Sequence, residues 1–184
     1  ESNCLYNNFL IDFTAGYPFY LDIIFQEVCN TCLLKNEKSV NIDLLVEVLA
    51  KLLFEKKGFL DQHFNLVLEK IEQAGFKRGL TQVLLSLSNG QNKLKNISKN
   101  LSKEQGHILQ KLTRLLELGI ISKNGNFYYI HDKLFSFWLK TVYQDWYYSF
   151  DYFSKSKLIN FTELLKKIIN NFCQISQKDL SERV

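Results

Sequence analysis

Residues 94–138 read LKNISKNLSKEQGHILQKLTRLLELGIISKNGNFYYIHDKLFSFW, and the order of patterns within them decides the fold. Leu94, Ile97 and Leu101 have the spacing of a short helix. A turn, Ser102-Lys103-Glu104-Gln105, leads into a longer amphipathic helix that runs to about Leu118. Ser102 and Gln105 have the spacing of a capping box, which places the Ser hydroxyl on the Gln105 N–H. The helix carries a wide apolar stripe, Ile108, Leu109, Leu112, Leu115 and Leu116, and Gly119 stops it. Residues 120–122 and 127–130 then predict two short strands over Lys123-Asn124-Gly125-Asn126, with Asn-Gly as the turn signal. Asp132 is placed to cap the aromatic helix that follows, anchored by Leu134, Phe135, Trp138 and Val142.

Helix, turn, helix and hairpin is the layout of a winged helix-turn-helix. At 100° per residue, the face opposite the leucine stripe carries Lys103, His107, Gln110, Arg114 and Glu117, with Lys111 beside them. In a DNA-binding domain this face enters the major groove, where Gln and Arg read base edges and Lys holds phosphates. The alternative is a solvated face, or one packed on a neighbouring domain. Glu117 fits the groove poorly, and the hairpin offers only Lys123 as a cation. Double-stranded DNA is therefore one candidate partner, through Lys103, His107, Gln110, Lys111, Arg114 and Lys123.

Charge follows the same division. Residues 1–78 hold 8 basic and 11 acidic residues, 79–131 hold 7 and 2, and 132–184 hold 8 and 6. The positive excess thus lies on the helix-turn-helix, where a phosphate backbone would meet it. A hydrophobic content of 46% with a single proline and eight glycines indicates a packed, helix-rich protein. Methionine is absent and residue 1 is Glu, so the chain is expected to begin inside a longer gene product.

Before this region, four helices are expected by residue 77. The first spans residues 2 to about 14, through Leu5, Phe9 and Phe13. Gly16 then ends it, and Pro18 opens a second helix with Leu21, Ile24, Phe25, Val28 and Cys32 inward. Asn41 or Asp43 caps a third helix, carrying Leu44, Leu45, Val48, Leu49 and Leu52 and ended by Gly58. A fourth, with Phe64, Leu66, Val67, Leu68 and Ile71, is closed by Gly75. A helix from residue 79 to 88, ending at Asn89-Gly90, starts the next domain. After residue 146 come an aromatic cluster, including 150–153, and a further amphipathic helix over 161–172.

Two motifs carry a resemblance. Gly16-Tyr17-Pro18-Phe19-Tyr20-Leu21 resembles the glycine-x-proline motif that opens a lid helix in the archaeal-type ATPases, relatives of the AAA+ and STAND NTPases. Asp132-Lys133-Leu134-Phe135-Ser136-Phe137-Trp138 is similar to the Asp-Pro-hydrophobic-Phe-x-Phe-Trp segment after their winged helix, with Lys133 in place of proline. The resemblance covers about residues 5–146. It implies a mainly α fold: a four-helix lid-like bundle (1–77), a winged helix-turn-helix with a small β-hairpin and trailing aromatic helix (78–147), and C-terminal helices (148–184) that could start a further domain. It also implies that Gly16 and Pro18 lie near bound nucleotide, although a plain helix junction accounts for the same residues. ATP or ADP with Mg is then expected in the full-length protein, on an N-terminal NTPase core.

The catalytic parts of such a core are missing from these residues. There is no G-x-x-x-x-G-K-[ST] motif, and His63, His107 and His131 lack partners at catalytic or metal-binding spacing. Cys29 and Cys32 form a C-x-x-C without a second pair, so buried thiols are expected rather than zinc. No apolar run of about 18 residues suggests a membrane span, and a cytoplasmic protein is expected. Three functions follow as candidates: a regulatory lid and winged helix of an ATP-binding protein, a DNA-binding transcriptional regulator, or a module for self-association or a protein partner docking on the aromatic cluster.

Overall fold

A computed structural model of the chain describes residues 2–74, 79–149 and 154–181. In chain order the elements are helices α1 (Ser2–Phe13), α2 (Pro18–Lys35), α3 (Ile42–Leu53), α4 (Phe59–Ala74), α5 (Leu80–Ser88), α6 (Leu94–Leu101) and α7 (Gln105–Glu117). Strands β1 (Ile121–Asn124) and β2 (Phe127–Ile130) follow, then α8 (Lys133–Trp138), a π-helical turn (Leu139–Tyr143), α9 (Gln144–Ser149) and α10 (Lys155–Ser181). The protein is mainly helical with one small antiparallel sheet. It divides into two units, Glu1–Asp61 with Asp151–Val184, and Gln62–Phe150.

The first unit is built on α3. Asn41 caps it, accepting the Leu44 N–H at 2.8 Å. Leu44, Leu45, Val46, Val48, Leu49, Ala50, Leu52 and Leu53 are all buried, so the helix is apolar nearly all round, as a central helix must be. Against it lie α2, through Tyr20, Ile24 and Val28, and α10, through Phe161, Leu165 and Ile169. The Phe54 and Phe161 rings stack at 5.2 Å, and the Phe9 ring of α1 meets Phe172 edge-on at 5.7 Å.

The sequence-based grouping therefore shifts. α10, at the far end of the chain, packs on α1 and α3, while α4 from Gln62 onward belongs to the second unit. There Phe64 lies 5.4 Å from both Phe135 and Trp138. The boundary falls between Asp61 and Gln62, inside α4, instead of at 77–78. Gly75 and the cluster at 150–153 lie outside the described residues.

Local chemistry sets the element ends. Pro18 occupies the first turn of α2. At the end of α1 the left-handed residue of the cap is Ala15 (φ +53°), with Gly16 (φ +70°) following it. The Gly16 N–H reaches Ile11 O at 2.7 Å and the Ala15 N–H reaches Asp12 O at 3.1 Å, the paired bonds of a Schellman cap. Gly58 is needed for space: an added Cβ would meet the carbonyl oxygens of Lys51, Leu52 and Glu55, the last at 2.8 Å. Cys29 is exposed and Cys32 half-buried, so the expectation of buried thiols fails at Cys29, which faces away from the Tyr20–Ile24–Val28 side of α2.

In the second unit Ser102 does not cap α7. It is the left-handed residue (φ +51°) that closes α6, with the Lys103 N–H on Ser98 O at 3.1 Å. α7 starts from Glu104 with no side-chain cap. The link between α6 and α7 is too short for one residue to serve both ends. Ile108, Leu112 and Leu115 are fully buried, but Leu109 is 44% exposed, so the stripe is narrower than its sequence suggests.

The hairpin is tighter than expected. Lys123 pairs with Tyr128 and Asn124 with Phe127, leaving Gly125-Asn126 as a two-residue turn, with Gly125 at φ +56°. A further pairing joins it from between α5 and α6: Lys93 bridges Phe127 antiparallel, and the Tyr128 N–H donates to Asn92 O at 2.8 Å. Asp132 caps α8 as expected, accepting the Phe135 N–H at 2.9 Å. Among the described residues no helix is long and apolar enough to cross a membrane.

Candidate functional site

Three cations on or beside the polar face of α7 bond to their own chain. Arg114 donates through Nε and Nη2 to the Ala74 carbonyl at 3.1 and 3.0 Å, and through Nη1 to Glu117 at 2.9 Å. Ala74 is the last residue of α4, so a guanidinium fills the vacancy that a helix end leaves on its carbonyls. Glu117, which has no role beside phosphate, thereby has a partner one turn away.

One turn before Arg114, Lys111 donates to Gly79 O at 3.3 Å, and two turns further back Lys103 donates to Gln82 Oε1 at 2.6 Å. Between them Glu72 of α4 accepts the Thr81 N–H at 2.7 Å, the Thr81 hydroxyl at 2.6 Å and the Gly79 N–H at 3.2 Å. These are the first N–H groups of α5, otherwise without helical partners. Thr81 is buried, and its hydroxyl is satisfied only by this carboxylate among the bonds described.

The electrostatics agree with this geometry. Burial raises the Glu72 pKa, but the three hydrogen bonds and the Lys111 charge outweigh it, and the net shift is downward. Burial is also the main cause acting on Lys111; with the neighbouring Lys103 ammonium it lowers the pKa despite the pull of Glu72. Lys103, Lys111 and Arg114 thus bond to Gln82, Gly79 and Ala74, as an internal brace. His107 and Gln110 remain exposed on α7. Lys123 stands on the hairpin with its ammonium 5.6 Å from the Tyr128 ring centroid.

Gly16 and Pro18 lie in the first unit. An added Cβ at Gly16 would meet nothing within 4 Å, and its φ of +70° is the left-handed conformation that favours glycine. Tyr17 and Phe19 on the same corner are 55% and 44% exposed and could face an adenine ring. Among the described residues no group of His, Cys, Asp or Glu could hold a metal ion.

Two sets of residues escaped the sequence reading. Glu72, Thr81 and the Ala74 carbonyl are polar groups on helix ends, and only folding reveals what they face. Phe127 and Tyr129 were legible in principle, because alternation along a strand sends Tyr128 inward and its two neighbours outward. Searches with the whole sequence and fold find no family model, curated protein or solved structure that matches.

Proposed function

We propose that this chain is a non-catalytic regulatory part of an AAA+/STAND-like ATP-binding protein, a helical lid-like unit followed by a winged helix that couples nucleotide state to a binding partner. The observation that carries the reading is the brace. α7, the helix that would read DNA in a transcriptional regulator, spends Lys111 and Arg114, and Lys103 just before it, on Gly79, Ala74 and Gln82. A helix held in this way reports movement of α4 better than it searches a groove.

Two further features support it. The Lys93–Phe127 bridge joins the segment between α5 and α6 to β2, and the order of elements from α5 to β2 is compatible with a winged helix. The Gly16-x-Pro18 junction precedes that unit and the Asp132–Trp138 segment follows β2, in the order found in the archaeal-type ATPases. ATP and Mg would belong to an N-terminal core supplying the phosphate cradle that these residues lack.

Arg114→Ala separates this reading from groove reading by duplex DNA. If the brace is its role, the variant loses about 1–2 kcal/mol of stability in urea unfolding and leaves duplex affinity unchanged. Unchanged stability with weakened, salt-dependent duplex binding would establish the DNA-binding regulator instead. The coding sequence upstream supplies the second check: a core lacking a G-x-x-x-x-G-K-[ST] motif within roughly 250 residues refutes the ATPase reading.

A further inference from the structure

The hairpin's outer face is built unlike a groove-probing wing. Phe127 and Tyr129 project from the same side of β2 and are 41% and 42% exposed. Their rings lie 6.4 Å apart at 24° to one another, a nearly parallel pair. Asn124 and Ser122 stand directly opposite them on β1 and share that face. The Lys93 ammonium sits 4.8 Å from the Phe127 ring centroid. No acidic residue occurs between Leu118 and His131.

We infer that Phe127 and Tyr129, flanked by Lys93, form a platform for single-stranded nucleic acid, one base stacking on each ring. Unpaired bases offer their faces to aromatic side chains irrespective of sequence, whereas bases in a duplex are stacked on one another. The ring spacing suits neighbouring nucleotides of an extended strand. Lys93 can exchange an exposed cation–π contact for a phosphate, since its four-carbon stem is flexible. Asn124 and Ser122 supply hydrogen-bonding groups beside the rings. An apolar protein-docking core would instead surround such rings with further apolar side chains, and here the neighbours are a cation, an amide and a hydroxyl. Duplex DNA is the poorer occupant also because Lys103, Lys111 and Arg114 are engaged with Gln82, Gly79 and Ala74. The inference stands apart from the ATPase-like reading, and neither depends on the other.

Fluorescence anisotropy of a labelled oligothymidylate of about a dozen nucleotides, titrated with the 184-residue chain at low salt, tests it. Tyr129→Ala is expected to weaken binding about fivefold or more, and Tyr129→Phe, which keeps the ring, to stay within about twofold of the parent. Lys93→Ala should flatten the slope of log affinity against log salt by about 0.7. Phe127→Ala should act as Tyr129→Ala does; should its helical circular dichroism fall, Tyr129→Ala alone decides. The inference is overturned by an oligonucleotide that does not bind, by affinity indifferent to Tyr129→Ala, or by a duplex of equal length competing as well as the single strand. It also falls if Tyr129→Ala abolishes self-association in sedimentation while leaving oligothymidylate binding intact, because the rings would then be a protein contact.

Discussion

Glu72 shows how much one side chain can organise. Its carboxylate collects three donors from the start of α5 and stands beside Lys111, so it ties α4, α5 and α7 together. Its pKa is lower in the folded protein than its ordinary value of 4.5. A carboxylate depressed on folding stabilises the native state above its unfolded pKa, and that contribution is lost as the pH falls through the folded one. Glu72→Gln should therefore lower stability at neutral pH and flatten the decline of stability below about pH 4.5, read from urea midpoints at a series of pH values. An acid limb of unchanged steepness would assign the pH dependence to other carboxylates. Nothing in the sequence marks Glu72 out from the other acidic residues, because its partners are backbone N–H groups seven to nine residues away.

At the scale of elements, periodicity served well where one face dominates and failed where two faces compete. All the expected apolar positions of α3 and α5 are buried, and those of α7 except Leu109 and Leu116. α2 differs: its sequence offers Leu21, Ile24, Phe25, Val28 and Cys32, but the structure buries Tyr20, Ile24, Val28 and Thr31 and leaves Phe25 38% exposed. Apolar residues lie all round this helix, so the sequence does not choose a face. Caps were legible when a residue served one helix, as Asn41 and Asp132 do, and misread at Ser102, where two helix ends contend for it. Leu165 is fully buried among the helices of the first unit, so Leu165→Ala should cost about 2–5 kcal/mol in urea unfolding. A cost below about 1 kcal/mol would show that α10 does not close that core.

For the whole molecule, the two units have separate cores, one gathered on α3 and the other on Trp138. The first is assembled from both ends of the chain and must await α10, whereas the second is continuous from Gln62 to Phe150. Calorimetry should resolve two unfolding transitions. Leu165→Ala should shift one, and Trp138→Ala, costing about 3–5 kcal/mol, the other. One transition moved equally by both variants would mean that the units unfold together.

The sequence by itself determined what is local: a mainly helical chain, the hairpin signalled by Asn124-Gly125, the Asn41 and Asp132 caps, and the concentration of positive charge over 79–131. Each rests on spacing, turn chemistry or composition within a few residues. Only the tertiary structure decided which helices share a core, and that the cations on the polar face of α7 belong to a brace. Those outcomes depend on groups far apart in the chain, Arg114 with the Ala74 carbonyl and Phe161 with Phe54, which no local pattern encodes. The stretch 94–138 thus shows its helices and hairpin through its own residues, while the bonds of Lys103, Lys111 and Arg114 are made to Gln82, Gly79 and Ala74, which lie outside it.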